Sequence, residues 1–347
     1  NQALQKWDDK KAVARDPSAL EKYRTMLAEQ IQYFKVTQYF FFKQWTELKN
    51  YANQKGIQII GDMPIYVAAD SVEVWTKPEL FQLDEERNPL FVAGVPADQF
   101  SATGQLWGNP LYAWEEHKKQ GYAWWIHRIE ESFKIYDVLR IDHFKGFSDY
   151  WQVDGKAEVA KDGSWQPGPG YDLFKAVKEQ LGDLPIIAED LGNIDDKARK
   201  LLTDCNYPGM KILQFGFEDV SGESLDSPHY CIPHSIVYTG THDNDVTNGW
   251  YNSLTEQQQQ YINDYTHRHE DESICQAMIR QLFATVSNTA IATMQDVLDL
   301  PASSRMNVPS TIGGNWQWRM QQSDLTQDKK DFLAKMTTLY QRANQEK

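Results

Sequence analysis

Cysteine is scarce in this 347-residue chain: Cys205, Cys231 and Cys275 are odd in number, widely spaced and form no C-x-x-C pair. Such a set argues against a disulfide framework, a thiolate zinc site and a dithiol redox motif, and predicts free thiols in a reducing cytoplasm. Basic residues are outnumbered, 35 Lys+Arg against 49 Asp+Glu, for a net charge of −14. That balance denies the basic footprint that nucleic-acid binding needs. No apolar run reaches the roughly 20 residues of a membrane span; YFKVTQYFFF at 33–42 is short and interrupted. There is no Asn-x-Ser/Thr site, no GxxxxGK[ST] loop and no GxGxxG fingerprint, so nucleotide-dependent chemistry has no support. Internal repeats, low-complexity tracts and dividing linkers are also missing.

What is present is an ordinary globular composition, 41% hydrophobic and 24% charged, with 12 Trp and 17 Tyr. Flat amphipathic rings suit sugar faces, although on composition alone an aromatic-rich core is the better account of them. Residues 1–55 read as a helical segment, with Leu20, Leu27, Ile31 and Phe34 at helical spacing from Pro17 onward and Gly56 as the stop. A pattern then recurs in which a short β-branched run ends in a carboxylate and gives way to a loop and a helix. The runs are GIQIIGD (56–62), YDVLRID (136–142), PIIAED (185–190), MKILQFGFE (210–218), SIVYTGTHD (235–243) and TAIATMQD (289–296). Such runs alternating with helices predict parallel strands buried on both faces, hence a wound α/β fold. The stretch 63–120 reads as a long loop, 151–171 as a hairpin with a Gly/Pro turn, and 321–347 as a polar C-terminal helix.

In a (β/α)8 barrel the catalytic groups gather at the carboxyl ends of the strands. Asp62, Asp142, Glu189 and Asp243 occupy such ends here. Arg140 and Asp142 are two apart on a strand and share a face, where a guanidinium would keep the carboxylate ionised as a nucleophile requires. A plain buried ion pair is the alternative. Glu189 closes an apolar strand, where desolvation would raise its pKa toward that of a general acid; otherwise it caps a helix. Two carboxylates pushed in opposite directions form the pattern of a retaining glycosidase. His242 and Asp243 could be metal ligands, but no second His cluster accompanies them, and a clamp on sugar hydroxyls is the competing reading.

The segments GDMPIYVAADSVEVW (61–75), GVPADQFSATGQLWGNPLY (94–112), LRIDHF (139–144), IAEDLG (187–192) and THDND (241–245) resemble the 4-α-glucanotransferases, also called amylomaltases or disproportionating enzymes, of the retaining α-amylase clan. The likeness runs in order from about residue 56 to 320. It implies a (β/α)8 TIM barrel in which the six runs are strands three to eight over residues 56–320, so that the first two strands are expected to lie outside this sequence. It further implies Asp142 as nucleophile, Glu189 as acid/base and Asp243 as transition-state stabiliser. Arg140, His143 and His242 would flank the donor sugar, Asp62 would shape the pocket, Asp98, Gln105 and Trp107 would lie on the substrate-covering loop, and Asn307 would bind sugar. The reaction implied is transfer of an α-1,4-glucan segment between malto-oligosaccharides, with no metal or organic cofactor, in the cytoplasm. The rival readings are an α-1,4-glucan hydrolase, a metal-dependent barrel hydrolase and a non-catalytic glucan-binding fragment.

Overall fold

The computed structural model describes residues 3–97, 102–192 and 194–343. The chain divides into two compact units, Asn1–Tyr207 and Pro208–Lys347.

In the first unit two short helical turns, Leu4–Lys6 and Lys10–Val13, lead into the helix Pro17–Met26. Its N-cap Asp16 accepts from the Ser18 and Ala19 N–H groups, and a proline occupies the first turn, where a missing N–H costs nothing. Leu27 interrupts the helix, which resumes as Ala28–Gln54. Seven strands follow among the described residues: β1 (Ile60–Met63), β2 (Phe91–Val95), β3 (Gln105–Pro110), β4 (Val138–Ile141), β5 (Asp149–Asp154), β6 (Ser164–Pro167) and β7 (Ile186–Ala188). β1, β4 and β7 form a parallel sheet in the order β1-β4-β7. Its inward side chains, Leu139, Ile141, Ile186 and Ala188, are buried with Trp125 and Ile129 of the helix Ala123–Ile135 and Phe174 of the helix Tyr171–Leu181.

Gly61 of β1 lies against the Tyr136 ring, and a Cβ built there would fall 2.0 Å from it. Gly61→Ala is therefore expected to destabilise the unit by about 1–3 kcal/mol, the usual cost of overpacking. Urea denaturation with an unchanged m-value would measure it.

The stretch 63–120, expected as loop, instead contributes β2 and β3 to an antiparallel sheet ordered β3-β2-β5-β6. Glycine- and proline-rich turns dominate the local pattern there, while β2 finds its second partner, β5, beyond Asp149. β5 and β6 are the two arms of the expected hairpin.

The second unit holds β8 (Gly209–Ile212), β9 (Ser235–Tyr238) and β10 (Thr289–Ile291), parallel in the order β10-β9-β8. Helices Glu256–Thr266 and Ile274–Ala284 each start with a reciprocal capping box, Thr255 with Gln258 and Ser273 with Gln276. They bury Ile262, Met278 and Leu282 against Leu213, Phe217 and Val237. The last helix is Gln327–Leu339. Each of the six β-branched runs singled out from the sequence contains a parallel strand, although 210–218 turns helical at Leu213 and 289–296 at Met294, and the three cysteines are free thiols. Among the described residues no helix is long and apolar enough to cross a membrane.

Candidate active site

In the first unit the parallel register does the positioning. Asp62 on β1 stands opposite Arg140 on β4, and Arg140 opposite Ile187 on β7. The ladder runs past the strand ends, because Asp142 N–H donates to Met63 C=O at 3.0 Å and Glu189 N–H to Ile141 C=O at 3.0 Å. Three acidic side chains thus emerge at one sheet edge around one guanidinium. Arg140 Nη1 donates to both Asp62 oxygens, at 2.6 and 2.7 Å, and lies 3.0 Å from Asp142 Oδ1. The side chain of Arg140 is only 9% exposed while those of Asp62 and Asp142 are 40% and 42% exposed, so the cation is the buried anchor and the acids face outward. Burial disfavours the Arg140 charge, but the Asp62 and Asp142 carboxylates outweigh it and raise the pKa.

Glu189 is held differently. Its Oε2 accepts from the His143 N–H and its Oε1 from the Leu191 N–H, each at 2.8 Å, so it is no helix cap. Burial pushes its carboxyl up and the nearby Asp142 charge pushes it further; Arg140 and the two N–H bonds pull back, and it comes to rest at about 7. His143 takes a left-handed backbone conformation, φ 51°. Burial depresses its imidazole to about 4, against the pull of Asp142, so the ring is neutral near pH 7. Its buried Nε2 has no hydrogen-bond partner among the described residues. The Trp107 indole stands perpendicular to this ring with centroids 4.8 Å apart. Trp107 Nε1 donates to Gln105 Oε1 at 3.2 Å, and Tyr66 backs the indole at 6.3 Å. Gln105 and Trp107 are two apart on β3 and so share a face.

The second unit carries its own cluster after β9. Asp243 Oδ1 accepts from Asn307 Nδ2 at 2.6 Å, and Oδ2 lies 3.3 Å from His242 Nε2. Arg305 donates through Nη2 to the Asp243 carbonyl at 2.7 Å and through Nε to the Asn307 carbonyl at 2.9 Å. The Trp316 ring sits 5.0 Å from that of His242.

The sequence-derived candidates thus gather as Asp62, Gln105, Trp107, Arg140, Asp142, His143 and Glu189 in the first unit and His242, Asp243 and Asn307 in the second. Asp98 lies outside the described residues. Tyr66, Arg305 and Trp316 were not among the candidates. Arg305 stands two residues before Asn307 in RMNVPST, and nothing in that spacing announces its partners. No described group of metal-ligating side chains falls in either cluster; His127, Glu130 and Glu131 lie together on the helix Ala123–Ile135.

A family model described as 4-alpha-glucanotransferase matches residues 1–326. The 4-alpha-glucanotransferase of Streptococcus pneumoniae is 52% identical over 346 residues, covering 99% of this chain and 68% of that protein. That of Clostridium butyricum is 43% identical over 327 residues, covering 93% of this chain and 66% of its own length. This chain thus spans about two thirds of the length of these relatives. Among solved structures, the amylomaltase from Streptococcus agalactiae in complex with acarbose superposes with a TM-score of 0.97 at 59% identity, covering 99% of this chain and 70% of that one. The chain belongs to the 4-alpha-glucanotransferase family.

Proposed function

We propose that the protein transfers segments of α-1,4-glucan from a donor to the 4-hydroxyl of an acceptor glucan or glucose, by double displacement through a covalent glycosyl-enzyme. The observation that carries this reading is the pairing of Glu189, a carboxyl poised at about 7, with Asp142, a carboxylate presented to solvent by the buried Arg140. Asp142 attacks the anomeric carbon while Glu189 gives its proton to the departing glycosidic oxygen. The intermediate is an ester, so the Asp142 charge that had helped to raise Glu189 is consumed. Glu189 then becomes more acidic and takes the proton of the incoming hydroxyl.

Asp62 and Arg140 orient the nucleophile, and His143 offers a neutral ring nitrogen to a sugar hydroxyl. Asp243 stabilises the oxocarbenium-like transition state, with His242 and Asn307 as its companions. Asp98 belongs to the covering segment as a further sugar contact. The six parallel strands are read as strands three to eight of a (β/α)8 barrel of the α-amylase clan, and malto-oligosaccharides in the cytoplasm as the setting.

Incubation with maltotriose and separation of the products by size tests this reading. Transfer yields glucose together with maltopentaose and longer chains. Glucose and maltose alone would make the protein a hydrolase, and no products at all would leave only glucan binding.

Water competes with the acceptor for the intermediate. Trp107, edge-on to His143 and 36% exposed, is suited to hold an acceptor ring and exclude water. Trp107→Ala is therefore expected to shift the partition toward hydrolysis by about tenfold, the scale of a lost sugar-aromatic contact of roughly 1.4 kcal/mol. Glucose release per transfer event measures it, and an unchanged ratio removes this role.

A further inference from the structure

We infer that Arg305 is a positioning residue for the reaction, one that locks the Asp243 carboxylate in place through a closed ring of hydrogen bonds; this rests on the reading of Asp243 as the transition-state stabiliser. Asp243 sits on the turn after β9. That turn is braced within itself by Thr241, whose N–H and hydroxyl both donate to Asn244 Oδ1 at 2.9 Å, and by the Asp243 N–H, which donates to Thr241 Oγ1 at 3.3 Å. These bonds shape the backbone of the turn; of the Asp243 carboxylate they leave Oδ2 beside His242 Nε2, at 3.3 Å, and Oδ1 to a partner from elsewhere in the chain, which settles its direction.

The segment around 305–316 supplies that direction. The planar guanidinium of Arg305 holds two carbonyls at once, that of Asp243 through Nη2 and that of Asn307 through Nε. Fixing both carbonyls with one rigid fork sets the distance between the two backbones. Asn307 then reaches back, and its amide donates to Asp243 Oδ1 at 2.6 Å. The cycle runs from the Asp243 backbone through Arg305 to the Asn307 backbone, and through the Asn307 side chain to the Asp243 carboxylate. The Asn307 amide is thereby committed to the acid, and Arg305 is what keeps that amide in reach.

A lysine cannot reproduce this, because its ammonium is a point donor on a flexible stem and cannot bridge two carbonyls at a set separation. The positive charge is not the useful property; the fork is. Loss of the fork lets the Asn307 amide move and shifts the Asp243 carboxylate with it, although His242 stays beside Oδ2, and misplacement by about 1 Å at a reacting centre can cost about 100-fold in rate.

Steady-state kinetics on maltotriose for the wild type, Arg305→Ala, Arg305→Lys, Asp243→Asn and the double variant Arg305→Ala/Asp243→Asn, with melting temperatures alongside, test the inference. Arg305→Ala is expected to lower kcat by about 100-fold with KM little changed. Arg305→Lys should fall nearly as far, and Arg305→Ala should add little to Asp243→Asn, since both remove the same contribution. Wild-type kcat in Arg305→Ala, full recovery in Arg305→Lys, or an undiminished further loss on the Asp243→Asn background would each overturn it. If Arg305→Ala does not fold, the kcat of Arg305→Lys decides alone. Should Asp243→Asn itself retain wild-type kcat, it is the role of Asp243 that fails, and the two failures are told apart by that one variant.

Discussion

Asp142→Gly is expected to abolish measurable transfer, lowering kcat by on the order of 10⁴ or more, the scale seen when a covalent nucleophile is removed. The fold should tolerate the change. Arg140 keeps its two bonds to Asp62, at 2.6 and 2.7 Å, so no buried guanidinium is left without a partner when the contact at 3.0 Å to Asp142 disappears. A loss of activity with an unchanged melting temperature would therefore report chemistry. The space vacated by the carboxylate also permits rescue. Added azide, entering from the Asp142 side of an activated α-glucosyl donor, should yield the β-glucosyl azide, and the anomeric configuration of that product identifies the face from which Asp142 attacks. Formation of the α-azide, or full activity without any added nucleophile, would remove Asp142 from the role.

The residues of this first prediction were legible in the sequence because their cause is local. A β-branched run that ends in a carboxylate declares both a buried strand and an acid at its mouth, and the runs closing at Asp62, Asp142 and Glu189 became three adjacent parallel strand ends. The direction of the Glu189 shift was legible for the same reason, since Ile186, Ile187 and Ala188 bury the strand that precedes it. Illegible features depend on partners far away in the chain. The bonds from Arg305 and Asn307 to Asp243 span 62 and 64 residues, and no spacing rule links such segments. The β2 strand was hidden likewise, because its short run gains its stability from β5 across a long separation. The left-handed turn at His143, which aims its N–H at Glu189, leaves no trace in a residue type that does not require it.

Glu189→Gln is expected to cost about 10²- to 10⁴-fold in transfer from maltotriose, the range for removal of a general acid. The step that fails is specific. α-Glucosyl fluoride leaves without needing a proton, so this variant should still form the glycosyl-enzyme from it, and with no base to deprotonate the acceptor the adduct should accumulate and appear in the intact mass. A variant that handles the fluoride no better than maltotriose would exclude Glu189 as the acid.

The wild-type rate should fall on the alkaline side of about pH 7, where Glu189 surrenders the proton it must donate, and that limb should be missing when the fluoride is the donor. The same shift predicts a stability signature of definite sign. Folded Glu189 keeps its proton up to about 7 whereas the ordinary value is 4.5, so the native state binds more protons than the unfolded chain between those values, and stability declines as pH rises across that window. Discounted by about half for the partial exposure of the residue, the shift corresponds to roughly 2 kcal/mol. The Glu189→Gln variant has no such proton to lose. Its amide side chain offers one acceptor oxygen where the His143 and Leu191 N–H groups need two, so the variant should be less stable than wild type at pH 5. By pH 8 the gap should have narrowed by that 2 kcal/mol, because only the wild type then buries a charge. Parallel denaturation curves for the two proteins would show the same separation at both pH values if Glu189 titrated normally, and in that event the acid/base assignment would lose its physical basis.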